Sequence, residues 1–193
     1  MSSNLGPDPS DLDLVRRFQA GDQDAFTVLV KRHERRVYNL AYRMLGRSEE
    51  ARDASQEAFI SCYRHLGGFR GDAAFTTWIH RITVNACYDM LRKKIPEPVE
   101  DIELPAPISS PDHADQAATA VDVQRALLKI HPDYRAVLIL YDVQGIPYDD
   151  IAAALQVPLG TVKSRLHRGR AALGQAMGGE PERRSPPSKR ATP

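Results

Sequence analysis

Hydrophobic residues recur every three to four positions along most of the chain, which is the spacing of amphipathic α-helices. In the first part of the sequence this spacing predicts four helices, at residues 11–20, 24–45, 48–66 and 74–94. Ser10 and Asp22 precede the first two helices as N-caps. Gly21 and Gly46 follow them as helix stops. Residues 11–95 contain no strand pattern and are predicted to form one all-α domain.

The second part of the chain, residues 118–177, also has helical spacing and ends in a helix-turn-helix pattern. A helix at residues 148–155 and another at 161–177 are separated by the short turn Gln-Val-Pro-Leu-Gly. Helix pairs joined by so short a turn are typical of proteins that place the second helix in the DNA major groove. The pattern predicts a second, smaller all-α domain.

Prolines and acidic residues dominate the segment between the two domains, residues 96–117, which contains no Lys or Arg. Its prolines are Pro96, Pro98, Pro105, Pro107 and Pro111. Because proline interrupts both helices and strands, this composition predicts a stiff, extended, acidic linker. The termini, residues 1–10 and 178–193, have no hydrophobic period and are predicted to be disordered.

One face of the fourth helix carries aromatic, cationic and amide side chains in regular order. This aromatic–basic stripe consists of Trp78, Arg81, Asn85, Tyr88 and Arg92. Aromatic rings stack on unpaired bases and cations bind phosphates, so the stripe suits a single strand of DNA. The preceding loop contains Phe69, Arg70 and three glycines, which let backbone approach a ligand closely. The stripe alone is also compatible with an ordinary amphipathic helix that has a half-buried tryptophan.

Two further helix faces carry residues that point to binding partners. On the third helix, an acidic–aromatic face consists of Asp53, Gln56, Glu57 and Phe59. A large aromatic side chain beside exposed acids is typical of a protein-binding surface. On the last helix, a basic face consists of Thr161, Lys163, Ser164, Arg165, His167 and Arg168. Residues 161–177 contain no acid, so this face favours DNA binding over a bland solvated helix.

Composition and short motifs limit the cellular location and the classes of activity that we expect for the chain. The 193-residue chain has a net charge of +1, so DNA binding has to come from local patches rather than from the overall field. The apolar runs are shorter than a membrane span, and the N-terminus lacks the pattern of a secretory signal, so we expect a cytoplasmic protein. Cys62 and Cys87 are expected to be core thiols. We find no P-loop, His-Glu-x-x-His motif or zinc-spaced cysteine pair, and predict no cofactor, no metal and no enzymatic activity.

With these motifs in this order, the chain resembles the extracytoplasmic-function sigma factors, bacterial transcription initiation factors with two small helical domains. Residues 53–59, DASQEAF, resemble the polymerase-binding segment of the family. Residues 69–85 resemble its segment for reading and melting the −10 promoter element. Residues 148–165 resemble its −35 reader. The run Val84-Asn85-Ala86-Cys87 is similar to that of the actinobacterial M-type subgroup.

The resemblance implies a role for each surface. The acidic–aromatic face would bind the clamp helices of the largest subunit of core RNA polymerase. The loop at Phe69 and the amide of Asn85 would hold a base flipped out of the −10 element, and Trp78 would lie at the edge of the duplex. The linker would run toward the RNA path of the polymerase, and the basic face would enter the −35 major groove. An anti-sigma factor, often membrane-anchored in this family, would be the inhibitor.

Two other classes of protein share some of these features. A helix-turn-helix transcriptional regulator with an N-terminal sensor or dimerisation domain explains the last helix equally well, but neither the aromatic–basic stripe nor the acidic linker. A protein-interaction bundle fits the acidic–aromatic face and leaves both basic surfaces without a role. The sequence also departs from the family pattern at His131 and Pro147, where the family often has Leu and Ser, and His167 leaves the −35 preference open.

Overall fold

The computed structural model describes residues 8–93 and 114–178, and the regular structure within these ranges is entirely helical. The N-terminal half, residues 8–93, contains α1 (Asp11–Gln19), α2 (Gln23–Leu45), α3 (Ser48–His65) and α4 (Phe75–Lys93). The C-terminal half, residues 114–178, contains α5 (Ala114–Leu128), α6 (Pro132–Leu138), α7 (Tyr148–Leu155) and α8 (Leu159–Ala176). The predicted all-α class is therefore confirmed, and no helix in these ranges is long and apolar enough to cross a bilayer.

Local capping fixes the ends of the first two helices as the sequence predicts. Ser10 and Asp13 form a reciprocal capping box at the start of α1. The Asp22 carboxylate accepts a hydrogen bond from the backbone N–H of Asp24 at 3.1 Å and caps α2. Gly46 ends α2 at φ +84°, in the left-handed region that glycine adopts without strain.

The core of the N-terminal half brings all four of its helices together. Its buried members are Leu14, Val15, Ala25, Leu29, Val37, Ala58, Cys62, Leu66, Phe75 and Ile79. Cys62 lies in this cluster, and Cys87 lies in the larger core shared with the C-terminal half. Both thiols are free, and burial raises the pKa of each to about 12. The prediction that they are core thiols is confirmed.

In the C-terminal half, α6 and α8 pack closely around a glycine. A Cβ added to Gly169 would lie 2.9 Å from Cδ1 of Leu138 and 3.2 Å from the carbonyl oxygen of Tyr134. A methyl group there therefore requires the Leu138 side chain to move and the backbone of α6 to shift by a few tenths of an ångström. A short π-helical segment, Ile139–Val143, continues α6. The imidazole of His131 accepts a hydrogen bond from the backbone N–H of Asp133 at 3.3 Å and so caps α6, which explains how histidine serves at this position.

The helix-turn-helix differs in detail from the sequence prediction. Helix α8 begins at Leu159, two residues earlier than expected, because the carbonyl of Pro158 accepts hydrogen bonds from the N–H groups of Thr161 and Val162. The left-handed residue of the turn is Gln156 at φ +54°, whereas Gly160 lies inside the helix. Helix α5 begins at residue 114 rather than 118, so residues 114–117 of the predicted linker are helical. The rest of that linker, and most of both predicted disordered termini, lie outside the described residues.

The two halves meet at the carbonyl end of α2, where the last turn of a helix leaves acceptors without intrahelical donors. The side-chain amide of Gln124 donates to the carbonyls of Tyr42 at 3.2 Å and Arg43 at 3.4 Å. The buried guanidinium of Arg135 donates to the carbonyl of Met44 and, at 2.8 Å each, to those of Leu128 and Ile130. One arginine thus ties the end of α2 to the α5–α6 turn.

Arg135→Met should lower the free energy of unfolding by about 3 kcal/mol, because it keeps most of the side-chain volume but leaves buried carbonyl oxygens without donors. Urea unfolding followed by circular dichroism measures the change. The control is Arg125→Met, which removes an exposed arginine paired with Asp122 one turn away and should cost less than about 0.5 kcal/mol. Equal losses in the two variants would contradict the role assigned to Arg135.

Candidate nucleic-acid interface

The loop before α4 and the first turn of α4 form a cluster of three aromatic rings. After α3, one turn of 3₁₀ helix, Leu66–Gly68, leads into this loop. The centroid of the Trp78 ring lies 5.0 Å from that of Phe69 and 5.8 Å from that of Phe75. Phe69 and Trp78 are half-buried, so each keeps part of its ring at the surface. The structure therefore brings together two of the residues that the sequence analysis assigned to base reading.

A cavity of about 330 Å³ opens beside this cluster. Its lining is Leu12, Phe69, Gly71, Asp72, Ala73, Ala74, Phe75 and Asp150. Gly71 adopts φ +80°, which a residue with a side chain rarely does, and this turn shapes the rim of the cavity. The lining combines two phenylalanines with the carboxylates of Asp72 and Asp150, and its aromatic part suits a planar ligand such as a base.

The aromatic–basic stripe is divided by the C-terminal half. Asn85 is exposed and Arg81 is half-buried next to the aromatic cluster, so this end of the stripe is accessible. Tyr88 instead packs where the halves meet. Its burial raises its pKa, and the neighbouring carboxylate of Asp133 raises it further. Arg92 is exposed and pairs with Asp89 one turn away. In this arrangement of the halves, the stripe is open from Trp78 to Asn85 and again at Arg92, and the C-terminal half interrupts it at Tyr88.

Two buried histidines lie beneath the aromatic cluster and remain uncharged at neutral pH. Burial lowers the pKa of His80 to about 4, and the nearby His33 and Arg36 contribute to the lowering. His33 is held by the carboxylate of Asp11 at 2.8 Å, and its ring lies 5.1 Å from that of Phe75. Burial also lowers the pKa of His33, despite the opposing effect of Asp11. The two histidines therefore add no positive charge beneath the aromatic cluster at neutral pH.

The acidic–aromatic face of α3 is accessible and extends further than the sequence analysis predicted. Asp53, Gln56 and Glu57 are exposed, and Phe59 is half-buried. Beside them is an apolar groove of about 390 Å³, lined by Phe26, Gln56, Phe59, Ile60, Tyr63 and Arg64. The sequence analysis missed Ile60 and Tyr63, although both follow Gln56 at helical spacing on the same face. Such a groove beside exposed acids is a surface that a partner helix could fill.

The basic face of α8 is exposed at four of its six positions and partly neutralised at its edge. Lys163, Ser164, His167 and Arg168 are exposed, as the sequence pattern predicts. Arg165 is half-buried and pairs with Asp133 at 2.6 Å. Thr161 is half-buried in the first turn, where its carbonyl accepts a hydrogen bond from the Ser164 hydroxyl at 3.0 Å. The face can therefore present cations and hydroxyls to a DNA groove without competing acids in its own first turn.

Some contributions to the site come from residues that the sequence analysis did not select. Leu12 lines the cavity from α1, and Gln19, also on α1, donates hydrogen bonds to carbonyls at the start of the loop. Asp150 lines the cavity from the C-terminal half. These contacts join residues far apart in sequence, so no local spacing marks them. Within residues 8–93 and 114–178, no group of three or more His, Cys, Asp or Glu side chains is arranged to hold a metal.

Comparison with known protein families matches both halves of the chain to one family. A family model described as Sigma-70 region 2 matches residues 29–95. A second, described as Sigma-70, region 4, matches residues 120–173. The first range contains the acidic–aromatic face, the loop and the aromatic–basic stripe, and the second contains the basic face.

Curated relatives extend this similarity over most of the chain. The ECF RNA polymerase sigma factor SigM of Mycobacterium tuberculosis is 43% identical over 169 residues, covering 88% of this chain and 85% of the relative. The ECF RNA polymerase sigma factor SigW of Bacillus subtilis is 35% identical over 176 residues, covering 84% and 94% of the two chains.

A solved structure supports the fold. The sigma factor RpoE of Bartonella quintana, in complex with the anti-sigma factor NepR, matches with a TM-score of 0.66 and 23% identity, covering 79% of this chain and 96% of that one. At this identity the match carries the helical arrangement alone.

Proposed function

The chain belongs to the extracytoplasmic-function RNA polymerase sigma factors of the sigma-70 family, and we propose which of its surfaces and residues perform each step of that function. A sigma factor of this class binds core RNA polymerase, recognises the −35 and −10 promoter elements, melts the −10 region and directs transcription initiation. It catalyses no reaction itself. The helix-turn-helix regulator is not favoured, because region 2 occupies the place of a sensor domain.

The polymerase-binding surface is the acidic–aromatic face of α3. Asp53, Gln56 and Glu57 are exposed on it, and Phe59 borders the groove of about 390 Å³. A clamp helix of the polymerase would place apolar side chains in that groove and basic side chains against the two carboxylates. We extend the predicted set to Ile60 and Tyr63, which are large apolar or aromatic side chains 36% and 46% exposed on the same helix.

The −10 reading surface is the cavity beside Phe69 together with the open end of the stripe. A base leaving the duplex would stack against Phe69 and have its edge hydrogen-bonded by Asn85. Trp78, half-buried against both phenylalanines, would stack at the edge of the remaining duplex. Arg70, Arg81 and Arg92 would hold phosphates, and Tyr88 would join them once the halves separate.

The −35 reading surface is the basic face of α8. Lys163, Ser164, His167 and Arg168 would contact base edges in the major groove, and Thr161 and Arg165 would contact phosphates at its rim. The acidic linker at residues 96–117 would run through the polymerase toward its RNA path. The observation that carries this assignment is the presence, in one chain, of an aromatic cavity for unpaired bases and a separate basic helix for duplex DNA.

We further propose two features of the protein in its cell. It works in the bacterial cytoplasm, because core polymerase and promoter DNA are found there, and it serves a stress or envelope regulon, as its class does. It is held inactive by an anti-sigma factor. The proposal includes a membrane anchor on that partner. Support for this inhibitor comes from the free protein, which exposes the apolar groove beside Phe59, the Trp78–Asn85 surface and the basic face together.

The purified protein should confer promoter-specific initiation on sigma-free core polymerase and bind promoter duplex weakly by itself. The reason is that polymerase binding and the two DNA-reading functions lie on separate surfaces that act together only in the complex. In vitro transcription from a library of genomic promoters, alongside a mobility-shift assay without polymerase, measures both properties. Tight, specific duplex binding without polymerase, and no initiation with it, would instead support the helix-turn-helix regulator.

Substitutions in the two DNA surfaces should have separable effects. Trp78→Ala and Asn85→Ala should leave polymerase binding intact and reduce permanganate reactivity of −10 thymines, since the two side chains act only once bases unpair.

Arg168→Ala should leave melting of the −10 element intact and lose about 1–3 kcal/mol of discrimination at one −35 position. Selection from libraries randomised at either element provides the second readout. Unchanged −10 reactivity in Trp78→Ala and Asn85→Ala would contradict the assignment of the −10 surface. An unchanged −35 consensus in Arg168→Ala would contradict the assignment of the −35 surface.

A pull-down with the tagged protein from unstressed cells should recover a stoichiometric partner other than polymerase. The partner should compete with core polymerase in a binding assay, because it covers the groove beside Phe59. A matched bait carrying Tyr63→Glu places a charge in that groove and should lose both partners. Recovery of core polymerase alone under every growth condition would contradict the proposed inhibitor.

A further inference from the structure

The ring of Phe69 is fixed by the aromatic cluster, whereas the backbone around it is rich in glycine and has few side chains to hold it. The 3₁₀ turn Leu66–Gly68 and the loop that follows it contain three glycines, and Gly67 and Gly68 have no neighbouring atoms where a Cβ would project. Glycine-rich backbone loses much conformational entropy on ordering, so a fixed loop needs external contacts.

Helix α1 supplies hydrogen bonds to both ends of this turn. The side-chain amide nitrogen of Gln19 lies 3.1 Å from the carbonyl oxygen of Leu66 and 2.9 Å from that of Phe69. The carbonyl oxygen of Gly67 lies further away, at 3.5 Å, so the two hydrogens of the amide face three carbonyls of the turn. Phe69 is the ring that forms the wall of the cavity, so Gln19 holds the backbone of a base-reading residue directly.

A second residue of α1 touches the far side of the loop. Leu12 lines the same cavity as Phe69 and Gly71, and its Cδ1 lies 3.4 Å from the point where a Cβ on Gly71 would stand. Leu12 remains 41% exposed, a large apolar side chain that the core of the N-terminal half does not use. Helix α1 therefore brackets the loop, with a polar clamp at its start and an apolar contact at its turn.

We propose that α1 is part of the −10 reading site and that Gln19 is a positioning residue for it. Gln19 holds the Phe69 backbone so that the cavity is preformed when a base leaves the duplex, which avoids the entropy of ordering the loop at that moment. The proposal rests on the assignment of this cavity to −10 reading. No part of it requires Gln19 to touch DNA.

Gln19→Met and Gln19→Glu test the clamp, because both residues match glutamine closely in length and helix propensity while removing the two donors. Glutamate also turns a carboxylate toward two carbonyl oxygens, so its effect should exceed that of methionine. The control is Ser10→Ala, which removes the N-cap of α1 and weakens that helix without touching the loop. A merely structural role for α1 predicts that the control behaves like the Gln19 variants.

The first readout uses the free protein and the only tryptophan in the chain. Because the Trp78 ring lies 5.0 Å from the Phe69 ring, release of the loop should expose the indole and shift its emission to longer wavelength. We expect the shift in Gln19→Met, a larger one in Gln19→Glu and none in Ser10→Ala. Wild-type emission in both Gln19 variants would overturn the proposal, whether or not the protein acts as a sigma factor.

The second readout uses the variants assembled with core polymerase. The closed-complex affinity should stay unchanged, and isomerisation to the open complex should slow by about three- to tenfold for Gln19→Met, since the loop acts only when bases unpair. Equal slowing by Ser10→Ala, or weaker closed-complex binding with normal isomerisation, would overturn the positioning role. Failure of the wild-type protein to direct initiation would count against the proposed function instead. The emission measurement tests the Gln19 clamp independently of that function.

Discussion

The carbonyl end of α2 is the constraint on which the arrangement of the two halves depends. A helix that ends inside a protein needs donors for its last carbonyls, and here Gln124 and Arg135 of the C-terminal half supply them. Arg135 is buried, and desolvation lowers its pKa to about 10, yet the group stays charged at neutral pH. A buried cation with three carbonyl partners is stable only where those partners are, so the contact selects one docking geometry.

This docking determines which surfaces are open. The acidic–aromatic face on α3, proposed to bind polymerase, lies away from the junction, with Asp53, Gln56 and Glu57 exposed. The stripe on α4 is open at Asn85 and covered at Tyr88. On α8, Arg168 is exposed while Arg165 is engaged by Asp133. The described arrangement therefore leaves the proposed polymerase-binding face clear of the C-terminal half and covers part of each of the two proposed DNA surfaces.

Much of this architecture could be predicted from the sequence because it is encoded locally. Helical periodicity gave the helices, and short-range signals at Ser10, Asp22 and Gly46 gave their ends. The proposed DNA-binding surfaces could be recognised in the sequence because their residues lie at helical spacing on a single helix. Leu12, Gln19 and Asp150 were not recognisable, since their roles come from contacts with residues that lie far away in the chain. The sequence analysis misplaced the start of α8 because Gly160 resembled a turn residue. In the structure, Pro158 is the N-cap and the helix begins directly after it.

The shared cap at the end of α2 also acts as a free-energy bias between binding partners. A ligand that requires the halves apart must separate Arg135 and Gln124 from their carbonyls, and its apparent affinity falls by the fraction of molecules that are open. A ligand that accepts the closed form has no such penalty. Where one partner requires the halves apart and a competing partner accepts them together, the strength of these few hydrogen bonds biases which of the two occupies the protein. Substitutions at Arg135 or Gln124 would change that bias from outside the acidic–aromatic face, the aromatic–basic stripe and the basic face.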